Sequence, residues 1–152
     1  MTDYSILTEL LDIHNLRVTH YQLVDAERIN LFVESTLNVA VCPKCTQVSS
    51  KVHETGNHQM VRDLSLWGRC CWLAYAPRRF KCSRCRETFV ERLDWKEAGL
   101  SYTLRYEQYV YQRTRQEAIK QVAEGEGLSE ESVQGIFERW AKKQLPGGAT
   151  HG

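Results

Sequence analysis

The sequence predicts an α+β chain: a small β-rich, zinc-ribbon-like domain followed by an all-α helix-turn-helix unit. Three observations predict it. Two Cys-x-x-Cys pairs, Cys42/Cys45 and Cys82/Cys85, stand 36 residues apart. Extended, β-branched segments surround them, and after about residue 100 the apolar spacing becomes helical. The boundaries expected are 1–100 for the β-rich domain, 101–145 for the helical unit and 146–152 for a flexible tail rich in glycine.

In chain order, Ile6, Leu7, Leu10, Leu11 and Ile13 recur at helical spacing and predict a short opening helix over 4–13. The stretch from Leu16 to Val24 is β-rich, and Asp25-Ala26-Glu27 is a turn. Beyond it Ile29, Leu31 and Val33 alternate with Asn30 and Phe32, as on a strand. Residues 39–41 lead into the first cysteine pair. Gly56-Asn57 is a turn signal, and a second extended region runs from Trp67 to Phe80 with Pro77 near its end. Thr103 is placed to cap a helix carrying Leu104, Tyr106, Tyr109, Val110 and Tyr111. Thr114 and Glu117 have the spacing of a capping box for the next helix, which holds Ala118, Ile119, Val122 and Ala123 and stops at Glu124–Gly127. Ser129 is the cap expected for a last helix with Val133, Ile136, Phe137 and Trp140.

The cysteine pairs carry the most chemistry. Two intervening residues let both thiolates of a pair turn toward one point, and two pairs complete a tetrahedron. Cys42, Cys45, Cys82 and Cys85 are therefore the expected ligands of one structural Zn²⁺, a closed site with no open position for catalysis. The long gap requires a hairpin or more to loop out between the halves. Cys70 and Cys71 are adjacent, so they point to opposite faces of a strand and read as packing residues. His53 or His58 could replace a cysteine, which leaves His53 open as a ligand. A thiol redox role is the competing reading. It needs a CxxC opening a helix in a βαβ unit, a context neither pair has. The first residues lack a basic segment and an apolar run, so a signal peptide is not expected, and no stretch reaches the roughly 18 apolar residues of a membrane span. A reducing cytoplasm, where CxxC pairs bind metal, is the expected location, with association to a bacterial nucleoid.

Net charge is only +1, but its distribution is uneven. Residues 1–41 carry two arginines against six carboxylates, whereas residues 62–92 carry eight cations against three. Seven of those eight are arginine, the side chain suited to bidentate phosphate or guanine contacts. Arg62, Arg69, Arg78, Arg79, Lys81, Arg84 and Arg86, interleaved with Trp67, Trp72, Tyr75 and Phe80, are the expected nucleic-acid surface. A charged, solvated sheet edge is the plainer alternative.

In the helical unit, small Ala123 sits where two helices would cross, Gly127 in the turn and Val133 beyond it, with Val122, Leu128 and Ile136 completing a core. The last helix is then the base-reading one. Gln134 has the side chain to read adenine, and Ser129, Arg139, Lys142 and Lys143 could hold the backbone. Glu130, Glu131 and Glu138 oppose phosphate, although the first two suit the helix dipole. A plain helical hairpin is the alternative.

The order Cys-Pro-x-Cys, Arg62-Asp-Leu, Arg78-Arg79-Phe80-x-Cys82-x-x-Cys85, Phe89-Val-Glu91, Thr103-Leu-Arg105 and a helix-turn-helix resembles the N-terminal region of the ISL-three group of insertion-sequence transposases. The resemblance spans about residues 40–140. It implies zinc held by Cys42, Cys45, Cys82 and Cys85, and a DNA-binding motif from Ile119 to about Trp140. Members of that group are several times longer and carry metal-binding acids in a catalytic domain. The acids of this chain after residue 100 fall on short amphipathic helices, so no catalytic centre is expected. The function expected is recognition of double-stranded DNA, such as transposon terminal repeats, in transposition or its regulation. A homodimer or a full-length transposase is the expected protein partner. The alternative is a zinc-ribbon adaptor that binds RNA, single strands or a protein. A truncated product, an excised domain and a recruited regulator remain equally open.

Overall fold

A computed structural model describes residues 3–144; the expected tail 146–152 lies outside the described residues. The chain divides between Thr103 and Leu104 into two compact units.

The first unit opens with α1 (Ser5–Leu11), which ends at Asp12 in the left-handed conformation. Leu11 turns into the core, and the Thr8 hydroxyl accepts the Val18 N–H at 2.9 Å. Strands β1 (Leu16–Asp25) and β2 (Arg28–Ser35) form an antiparallel hairpin. Strands β6 (Gln59–Leu66) and β7 (Arg69–Tyr75) form a second one, and the sheet order is β1-β2-β7-β6 with β2 and β7 parallel. Period-two alternation sets one face of this sheet inward. Ile29, Leu31 and Val33 stand beside Cys71, Leu73 and Tyr75, and Leu11, Leu16, Val18, Val61 and Trp95 close the core. On the other face Trp72 is flanked by Asn30 and Arg62, and the guanidinium groups of Arg28 and Arg62 lie 4.7 and 5.7 Å from its ring centre.

Two smaller sheets accompany this one. β3 (Ala40–Val41) pairs with β4 (Val48–Ser49), and β5 (Val52–Thr55), β8 (Arg78–Lys81) and β9 (Thr88–Val90) form a three-stranded sheet in the order β5-β8-β9. The extended region read as one stretch from Trp67 to Phe80 is thus two strands broken around Pro77. Proline lacks the donor a ladder needs, and β8 goes to a different sheet. Trp67 and Gly68 are the two-residue turn of the β6–β7 hairpin, with φ of 47° and 81°, the doubly positive geometry that suits the twist of its strands. Beyond β6 the chain returns at residues 101–103. The Arg62 N–H donates to Ser101 and its carbonyl accepts from Thr103, while the Thr103 hydroxyl donates to buried Asp63 at 2.8 Å. The Arg-Asp of the Arg62-Asp-Leu motif is therefore structural.

The second unit comprises α2 (Leu104–Thr114), α3 (Ile119–Glu126) and α4 (Glu130–Gln144). The expected capping box does not form. Thr114 lies in the last turn of α2, where its hydroxyl donates back to the Tyr111 carbonyl, and Glu117 is held by Arg113 through two 2.9 Å bonds. A Thr four positions before α3's N-cap cannot serve it, and Ala118 takes that place without a side-chain cap. α3 also runs past Gly125. It ends at Gly127, whose φ of 69° suits the residue without a Cβ, and Leu128 N–H closes the turn on the Ala123 carbonyl. Ser129 does cap α4, accepting the Ser132 N–H at 3.0 Å. No helix among the described residues is long and apolar enough to cross a membrane.

Candidate functional site

The two cysteine pairs are built alike. Cys42 N–H donates to the Gln47 carbonyl and Thr46 N–H to the Cys42 carbonyl; Cys82 N–H donates to Glu87 and Arg86 N–H to Cys82, all at 2.8–2.9 Å. In each, the residue after the second cysteine is left-handed, Thr46 at φ 62° and Arg86 at φ 65°. Neither is glycine, so both positions carry backbone strain that the surrounding knuckle must hold. The β3–β4 hairpin carries one knuckle, and the β8–β9 hairpin carries the other.

The long excursion through β5, β6 and β7 brings them face to face. The Sγ atoms of Cys42, Cys45, Cys82 and Cys85 lie within 4.8 Å of one another. Ala40, Phe80 and Phe89 close the apolar underside, the two rings 6.1 Å apart, and Lys44 of one knuckle pairs with Glu87 of the other. Backbone N–H groups, that of Cys85 first, lower the Cys82 thiol to about 7. The Cys45 sulfur above all raises Cys85, to about 12. Four thiols crowded this way cannot all ionise unaided, and a divalent cation would supply the missing charge. The donor set fits Zn²⁺: four soft sulfurs, paired and half to fully buried, with no fifth ligand in the cluster among the described residues. Exposed His53 lies outside the cluster of four. Cys71 is buried in the sheet core, and Cys70 meets Arg62 on the opposite face.

The cations expected at a nucleic-acid surface separate into two sets. Arg62 is 5% exposed and lies under Trp72. Arg78 is held in two bonds of 2.7–2.8 Å by buried Glu91, which also accepts the Tyr75 hydroxyl. Burial, then the Glu91 carboxylate, pushes the Tyr75 phenol far above its usual range. Arg69 lines an apolar groove. Arg139 donates to Glu107, a 2% exposed carboxylate that also accepts from Trp140 Nε1. Charge counting along a sequence cannot distinguish these internal partners from solvated cations.

Arg84 and Arg86 are exposed on the second knuckle, with Arg79 and Lys81 half-buried on β8. Gln134, Lys142 and Lys143 are exposed on α4, while Ser129 is engaged as its cap. Of the interleaved aromatics, Tyr75 and Phe80 are core residues and only Trp67 is widely exposed. They form no stacking surface.

The helical unit has the geometry of a helix-turn-helix. Val122, Ala123, Val133 and Ile136 are buried between α3 and α4, with half-buried Leu128 in the turn. Arg113 ties the α2–α3 loop through Glu117 and reaches Glu126 at 2.8 Å, where Tyr106 and Tyr109 also donate. A Cβ on Gly125 would stand 3.1 Å from that guanidinium.

A paired-cysteine knuckle followed by a helix-turn-helix defines the class of protein. The family comparison agrees in both halves. The zinc-finger of transposase IS204/IS1001/IS1096/IS1165 matches residues 38–85, and the helix-turn-helix domain of transposase family ISL3 matches residues 91–141. The chain carries these two domains of ISL3 transposases, in that order. No curated protein and no solved structure gives a significant match.

Proposed function

We propose that this chain binds double-stranded DNA in the manner of a transposase end-recognition region, with one structural Zn²⁺ per chain at Cys42, Cys45, Cys82 and Cys85. The observation that carries the reading is the glycine-turned α3–α4 pair. Its core is closed by Val122, Ala123, Val133 and Ile136, and its second helix leaves Gln134 exposed and without a partner among the described residues. In that role Gln134 reads a base edge in the major groove, and Lys142 and Lys143 at the end of α4 hold phosphates. On the other unit, Arg84 and Arg86 hold phosphates from the zinc knuckle, with Arg79 and Lys81 nearby on β8. Terminal repeats of a transposon are the target, at the nucleoid. Both matched domains are recognition domains, and the acids of α2–α4 serve as ion-pair partners and solvated groups. The role proposed for these two domains is binding without strand transfer.

Selection of bound duplexes from a random pool tests the reading. One double-stranded sequence should be enriched. Arg84→Ala with Arg86→Ala should weaken all duplexes alike and reduce the salt slope by roughly one unit per lost contact. Gln134→Ala should instead lose about 1–3 kcal/mol of discrimination at one base pair. The selected duplex, incubated with Mg²⁺ or Mn²⁺, should be bound and recovered uncut. Equal affinity for single strands, or unchanged sequence preference in the Gln134 variant, counts against it.

A further inference from the structure

Among the described residues, the N-terminal unit has an open cavity of about 410 Å³ at some distance along the chain from either cysteine pair. Ile6 and Leu7 of α1, Tyr21 and Leu23 of β1, and Leu66 and Trp67 at the β6–β7 turn line it. This surface is unusual in three ways. Trp67 is 76% exposed and left-handed, a conformation that bulky residues rarely adopt. Ile6 and Leu10, one helical turn apart on α1, are 69% and 51% exposed. Arg69, half-buried, lines the cavity, and its buried Nε has no hydrogen-bond partner among the described residues. Asp3 also lines the cavity, but both of its carboxylate oxygens accept from Ser5.

Apolar side chains left open beside a half-buried guanidinium whose Nε lacks a partner mark a surface that is completed by something apolar and acidic. The chain supplies that combination itself. Glu9 lies on α1 between Ile6 and Leu10, is exposed, and has no partner among the described residues. We propose that a second copy of this chain docks here through a two-fold contact. Each α1 lies against the other copy's groove, Ile6 and Leu10 cover Trp67, and Glu9 pairs with Arg69. A two-fold axis presents the same patch to itself, so one surface satisfies both the apolar and the ionic requirement twice.

The test is sedimentation equilibrium of the zinc-loaded chain over a concentration series. The wild type should form a dimer. Trp67→Lys, Glu9→Arg and Arg69→Glu should each raise the dimer dissociation constant about tenfold or more. Combining Glu9→Arg with Arg69→Glu should restore it, because the pair is re-formed with its charges exchanged. Zinc content and far-ultraviolet circular dichroism report whether each variant is folded. A wild type that stays monomeric at every concentration overturns the proposal. So does a dimer that is unmoved by all three single changes, or a charge exchange that fails to rescue while both single variants are folded.

Discussion

Replacing Cys82 and Cys85 together with serine should abolish zinc binding and unfold the knuckle region, while the β1-β2-β7-β6 sheet retains its secondary structure. The physical reason is that little else holds the knuckles. β3 and β4 are two residues each, far below the length at which a hairpin is stable alone, and the underside is limited to Ala40, Phe80 and Phe89 beside the cysteines. Metal binding and folding of such a region are one process, so loss of the ion should lower stability by several kcal/mol, on the order seen for small zinc sites. The large sheet has its own core around Leu31, Leu73 and Val61. Metal analysis gives the stoichiometry, and thermal unfolding with and without a chelator gives the stability. Cys70→Ser and Cys71→Ser provide the contrast: zinc stays in both, and Cys71→Ser alone loses stability because that side chain is 2% exposed in the core. Retention of a full equivalent of zinc by the Cys82/Cys85 variant would falsify the four-cysteine assignment.

Glu91→Ala should be the most damaging single change away from the metal. Glu91 accepts both Arg78 bonds and the Tyr75 hydroxyl, and its side chain is 7% exposed against 17% for Arg78. Removing it leaves a partly buried guanidinium and a buried phenol without their shared acceptor. Breaking a buried pair from one side typically costs about 3–5 kcal/mol, and exposure of Arg78 places this case toward the lower end. Chemical denaturation should show the loss, with zinc still bound under native conditions. Arg78→Met with Glu91→Met and Tyr75→Phe removes all three polar groups together and should recover part of it. A Glu91→Ala variant as stable as the wild type would mean that solvent reaches Arg78 far more freely than its packing indicates. The same geometry explains why Arg84 and Arg86, rather than Arg78, are the side chains to change when DNA contacts are sought.

Local rules made much of this chain legible. The CxxC spacing identifies a four-cysteine cluster because two intervening residues constrain the thiols within a single turn. The opening helix, the β1–β2 hairpin, the Ser129 cap and the Gly127 turn are also local, each decided by a few adjacent residues. Strand β6 was not, since Gln59–Leu66 mixes polar and apolar residues without a clear alternation, and its Arg62 and Asp63 are buried by contacts with residues 101–103. The Thr114/Glu117 spacing misled for a related reason. The same three-residue interval fits a cap or the last turn of a helix, and Arg113 decides between them.

The sequence by itself determined the class of chain, its four clustered cysteines and its helix-turn-helix, because those follow from spacing, period and turn chemistry. Only the tertiary structure decided which cations remain available. Arg62, Arg78 and Arg139 look no different in sequence from Arg84 and Arg86, yet the first three lie beside Trp72, Glu91 and Glu107 while the others stand in solvent. Desolvation and pairing depend on residues distant along the chain, and only folding brings those together.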